Sequence, residues 1–167
     1  MNQYSEQTQH IIWNGLLDVS RYVRYIDKLC TKYQWWRNFV YVLFGVSGSS
    51  SLLTLLNVLP GFFQSITSAA IALALIWSLT LKPGEKAERL ATIKLDLDLL
   101  ESEYRTLWER VYRKTINDQD AIQEHDRLTK NVTKIMSHLN VKTDDQLNEE
   151  CAEETYLVEA QRYPSVA

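Results

Sequence analysis

NFVYVLFGVSGSSSLLTLLNVLPGFFQSITSAAIALALIWSLTL, residues 38–81, contains no Asp, Glu, Lys, Arg or His. The 18 basic and 21 acidic residues of this 167-residue chain all lie outside it. A soluble fold of this size seldom needs 44 consecutive uncharged residues, whereas a hydrocarbon core excludes unpaired charge. Pro60-Gly61 is a strong breaker near the middle of the stretch and divides it into 38–57 and 62–81. Each half has about 20 residues; at about 1.5 Å per residue it reaches about 30 Å, the thickness of a bilayer core. So short a connection makes the halves antiparallel neighbours, and the reading is a hairpin of two transmembrane helices.

Working outward, Lys28, Lys32 and Arg37 precede the first half, and Lys82, Lys86 and Arg89 follow the second. The turn at 58–61 has no charge. Basic flanks stay on the cytoplasmic side, so both termini are expected there. Trp35, Trp36 and Trp77 fall at the same ends, where amphipathic rings favour the interface. The mean hydropathy of -0.26 and net charge of -3 hide this layering. Residues 1–37 hold five basic against three acidic groups, 82–116 eight against seven, and 117–167 five against eleven. Nothing in that pattern is a stripe for a nucleic-acid polymer.

The charged segments carry single apolar stripes at spacings of three and four. Ile12, Leu16, Val19, Val23, Ile26, Cys30 and Tyr33 form the first. Leu90, Ile93, Leu97, Leu100, Tyr104, Leu107 and Val111 form the second. Ala121, His125, Leu128, Val132, Ile135 and Leu139 form the third. One-sided helices must cover their stripes with each other or with other copies of the chain. A turn is expected at Asn117-Asp118. A last helix is expected from Asp144 to about Ala160, opened by a Thr143/Gln146 capping box and closed by Pro164. The fold class is therefore all-α: a helical N-terminal segment (1–37), the transmembrane hairpin (38–81), and C-terminal helices forming a bundle (82–167).

Chemistry is sparse. Cys30 and Cys151 make no CxxC and read as unpaired thiols; with His10, His125 and His138 they give no zinc pattern. Asp96 and Asp98 fall on different helix faces, and there is no nucleophile motif or phosphate loop. No catalytic residue, metal or cofactor is expected. Arg105, Arg110, Arg113 and Lys114 are the candidate ligand-binding cluster, since guanidinium forks suit a phosphate-bearing ligand. Interleaved Glu101, Glu103 and Glu109 work against that role. Within the hairpin, Ser47, Ser50, Thr54 and Asn57 share one helical face, and Gln64 and Ser68 extend the polar set. Those six are candidate pore-lining residues in an oligomer, because one hairpin cannot enclose water. Gly45/Ser49 and Ser65/Ala69 are small-xxx-small pairs, suited to close helix packing.

The layout resembles the SLATT family, two-transmembrane effectors of bacterial nucleotide-second-messenger defence. The resemblance rests on residues 13–33 leading into Trp35-Trp36-Arg37, the Gly/Ser-rich first span and the Pro60-Gly61 hinge. It continues through the Lys82-Pro83-Gly84-Glu85-Lys86-Ala87-Glu88 opening of a long helix and covers residues 9–140. It implies a homo-oligomeric pore-forming effector that depolarises the bacterial inner membrane in anti-phage defence, triggered by a cyclic nucleotide or a partner sensor protein. The competing expectation is a non-conducting membrane anchor whose helical bundle recruits another protein.

Overall fold

The structure, a computed structural model, describes residues 6–55, 62–139 and 144–164. All regular structure among them is helical: α1 (Glu6–Leu55), α2 (Phe62–Leu81), α3 (Pro83–Tyr112), α4 (Asp118–Ser137) and α5 (Asp145–Arg162). The first stripe and the described part of the first uncharged half (38–55) thus belong to one continuous helix of 50 residues. No Pro or cap-forming turn interrupts that sequence, so nothing ends the helix at Arg37. The chain divides into two compact units. One combines Met1–Lys28 with Leu90–Ala167, and the other is Leu29–Arg89.

In the first unit the apolar stripes cover one another. Ile12, Leu16 and Val19 of α1 meet Leu100, Leu107 and Val111 of α3 and Ala121, Leu128 and Val132 of α4 in one buried core. Two tryptophans extend it beyond the stripes: Trp13 and Trp108 lie 5.0 Å apart, and Tyr163 sets its ring edge-on to both. Tyr163 is the C-cap of α5, so the end of that helix is pinned to the aromatic part of the core.

The boundaries follow from short-range chemistry. α3 ends in a Schellman arrangement, with Thr115 N–H donating to the Arg110 carbonyl (2.9 Å) and Lys114 N–H to that of Val111 (3.0 Å). This puts Lys114 at φ 55, a left-handed conformation usually given to glycine. Asn117 then caps α4 by accepting from the Asp120 N–H (2.8 Å), at the turn expected from sequence. The α5 cap is Asp144, which accepts from the Leu147 N–H at 3.3 Å. The expected cap, Thr143, lies outside the described residues.

α5 docks by a different principle. Its buried residues are Cys151, Thr155 and Glu159, one per turn on one face. Tyr25 on α1 accepts from the Asp144 N–H (3.0 Å), and Lys28 pairs with Glu154 (2.7 Å). α3 and α4 are joined at their rims by Arg110–Glu124 (2.9 Å) and Arg127–Glu103 (2.8 Å). Exposed pairs such as these contribute about 0.2–1 kcal/mol each, so the core carries the stability.

In the second unit α1 and the start of α3 bury Leu29, Cys30 and Ala87, with the Cys30 thiol 3.8 Å from the Ala87 carbonyl. Lys82, at φ 43, and Pro83 make the corner between α2 and α3. Among the described residues of 38–81, Val40 and Ala74 are buried. Among the described residues no helix is long and apolar enough to cross a membrane.

Leu107 and Leu99 provide a paired test of the core. Leu107 is fully buried and Leu99 faces outward. Leu107→Ala should destabilise the first unit by about 2–5 kcal/mol in urea unfolding followed by tryptophan fluorescence. Leu99→Ala should change it by less than about 0.5 kcal/mol.

Candidate functional site

The hairpin candidates fall largely outside what is described. Ser47, Ser50 and Thr54 lie in α1 and Gln64 in α2, but their side chains are outside the described set, as is the whole of Asn57. Ser68 is exposed on α2. Gly45 and Ser49 are exposed too, and a Cβ placed on Gly45 meets nothing within 4 Å.

The basic cluster at the end of α3 does not converge on one point. Arg105 turns inward, where its guanidinium donates to both oxygens of Glu159 (3.1 and 2.7 Å) and to Glu101 (2.6 Å). Ser20 adds a hydrogen bond to the same Glu101 oxygen (2.8 Å). Burial alone would lower the Arg105 pKa; the hydrogen bonds to Glu159 and then Glu101 outweigh it and hold the guanidinium above its ordinary value. Arg110 instead reaches Glu124, and Arg113 lies 3.8 Å from Glu109. Lys114 is exposed and serves as the helix-ending residue. Internal carboxylates therefore take the guanidiniums that sequence offered to an anion.

Sequence reading missed Glu159 as a buried partner. It is 54 residues from Arg105, and no local spacing announces that pairing. Its position four residues after Thr155 and eight after Cys151, on the face turned inward, is the one signal available.

A second feature is a groove of about 510 Å³ between α1 and α4, floored by Tyr104. Tyr104 hydroxyl and Thr129 hydroxyl are 2.8 Å apart, and His125 Nδ1 lies 3.4 Å from the Tyr104 oxygen. Asn14, Asp18 and Thr133 complete its polar lining. The helices approach at Gly15, where an added Cβ would stand 2.8 Å from His125 Cε1 and 2.9 Å from Tyr104 Cε1. Any larger side chain there has to displace one or both rings. Burial pushes the His125 pKa below its ordinary value of 6.5, opposed by Asp126, and pushes the Tyr104 hydroxyl up, opposed by the bond to Thr129. His125 thus stands half-buried in the wall of the groove, where burial favours the neutral ring.

Among the described residues no group of His, Cys, Asp and Glu could hold a metal ion. Cys30 and Cys151 are buried free thiols, and burial raises the Cys151 pKa, which disfavours the thiolate. No protein-family model, curated protein or solved structure matches this chain.

Two consequences can be measured. Gly15→Ala should destabilise the first unit although alanine favours helix by about 1 kcal/mol over glycine, because the rings of His125 and Tyr104 must move. His125→Ala in the same chain should recover part of the loss. The second consequence is a pH dependence. The unfolded chain takes up a proton at His125 as pH falls through about 6.5, while the folded chain resists it. The stability from the neutral ring is present above that pH and is lost as pH falls through the lower folded value. The thermal midpoint should drop between about pH 7 and about pH 5, and less steeply in His125→Asn.

Proposed function

We propose that residues 38–81 are embedded in a lipid bilayer, and that the chain is a homo-oligomeric effector that permeabilises or depolarises the bacterial inner membrane. The observation that carries this reading is apolar surface left uncovered. Tyr41, Val42, Val46, Ile66, Leu73 and Ile76 are all exposed, Leu73 at 68% and Tyr41 at 65%. A water-soluble monomer rarely shows so many large apolar side chains on two neighbouring segments. No helix among the described residues is long and apolar enough to cross a membrane. The reading rests on the whole charge-free stretch of 44 residues and on that surface.

The six residues Ser47, Ser50, Thr54, Asn57, Gln64 and Ser68 are the proposed lumen, with both termini cytoplasmic. The SLATT resemblance adds the anti-phage setting and a cyclic nucleotide or sensor protein as trigger. The open Gly45/Ser49 face supports assembly, since small residues let helices of neighbouring copies approach.

One observation favours the second reading, a non-conducting anchor and scaffold. Ser49 hydroxyl donates to the Gly45 carbonyl (2.9 Å) and Thr80 hydroxyl to that of Ile76 (2.7 Å). Hydroxyls satisfied on their own helix need no aqueous lumen.

The deciding experiment measures ion leakage from vesicles and oligomer size together for Ser50→Leu/Thr54→Leu. An apolar constriction gates by dewetting, so leakage should fall while assembly persists. Loss of assembly would assign these positions to helix packing. Normal assembly with full leakage would remove them from the lumen, and absence of leakage in the unaltered chain would favour the anchor.

A further inference from the structure

Within the second unit, Lys32, Arg37, Lys82, Lys86 and Arg89 face only two acids, Glu85 and Glu88. That is a net of three positive charges, all within the residues bordering the uncharged stretch. Glu85 is shared by Arg89 (2.8 Å) and Lys82 (3.5 Å), and the Lys86 ammonium sits 5.6 Å over the Tyr33 ring. Arg37 differs. Among the described residues it makes no ion pair or hydrogen bond, and its Nε is buried without a partner. Its aliphatic stem lies against Gly84, where an added Cβ would be 3.8 Å from Arg37 Cδ. The guanidinium is thus held at the start of α3 with its donors unspent.

Beside it is an exposed aromatic group. Trp35 stacks on Phe39 (5.5 Å between centroids, 9° between planes) and meets Trp36 edge-on (5.1 Å). Aromatic rings with this exposure, next to basic side chains, match the headgroup level of a membrane.

We propose that Arg37 is the phosphate-contacting residue of a site for an anionic phospholipid headgroup. This rests on the bilayer reading above and adds lipid selectivity to it. A guanidinium fork takes two phosphate oxygens at once, which an ammonium cannot. The net positive charge of this border favours a headgroup that brings no cation of its own, so phosphatidylglycerol is preferred over phosphatidylcholine.

The test compares the full chain in phosphatidylcholine vesicles with and without phosphatidylglycerol, reading the lipid retained after extraction by native mass spectrometry. The unaltered chain should retain phosphatidylglycerol preferentially. Arg37→Gln should reduce that preference about fivefold, the contribution of one cation near an anionic surface. Arg37→Lys should fall between, because it keeps charge without the fork. Arg127→Gln, the same charge change in the first unit, should have no effect. Helix content by circular dichroism checks that each variant is folded. Equal retention in Arg37→Gln, or equal loss in Arg127→Gln, overturns the site. Displacement of the lipid by inorganic phosphate at matched concentration overturns the lipid assignment in favour of a free phosphate. Insertion without lipid preference overturns the site and leaves the bilayer reading standing; failure to insert in either vesicle overturns both.

Discussion

Apolar side chains on a helix must leave water, and the chain meets that demand in two different ways. The helices of the first unit cover one another: Ile12, Leu16, Leu107, Val111 and Leu128 close a single core with two tryptophans at its edge. Among the described residues of the second unit the covering is partial. Val40 and Ala74 are covered, while Val42, Val46, Leu73 and Ile76 remain outside. At roughly 1.5–3 kcal/mol for each large apolar side chain withdrawn from water, that surface favours any medium that removes it. In the proposed reading that medium is a lipid bilayer, although no helix among the described residues is by itself long and apolar enough to cross one.

Polar chemistry in the first unit is structural. Arg105 is held by Glu101 and Glu159 in a partly buried group in which Glu159 alone is fully buried, so removing Arg105 would leave that carboxylate without its main partner. The pair therefore fixes where α5 sits more than it adds net stability. α5 offers Cys151, Thr155 and Glu159 to the interior, a face with little apolar area, so electrostatic registry substitutes for a hydrophobic seam. Gly15 makes the complementary point on α1, since the missing side chain lets His125 and Tyr104 close over the helix.

Much of the helical layout was legible because spacing of three and four encodes a face. The stripe residues Ile12, Leu16, Val19, Leu97, Leu100, Leu107, Val111, Ala121 and Leu128 are all buried, and Asn117 caps α4 where the turn was expected. Trp13 and Trp108 escaped the stripe because large rings reach the core from its flank. The continuity of α1 escaped because a change from charged to apolar composition does not by itself end a helix. The spread of the candidate anion cluster was not legible for a different reason. Arg105, Arg110 and Arg113 are near in sequence but point to different neighbours, and the acid that takes Arg105 comes from the far end of the chain. Long-range pairing of this kind leaves no local trace.

The placement of residues 38–81 in a bilayer is the claim on which the functional account stands. Extraction of isolated cell membranes with alkaline carbonate tests it most directly, because this treatment strips proteins held by charge and retains those whose apolar surface lies in lipid. The account predicts that the chain remains with the membrane pellet and is released only by detergent. Recovery of the chain in the carbonate supernatant as a folded monomer would contradict it.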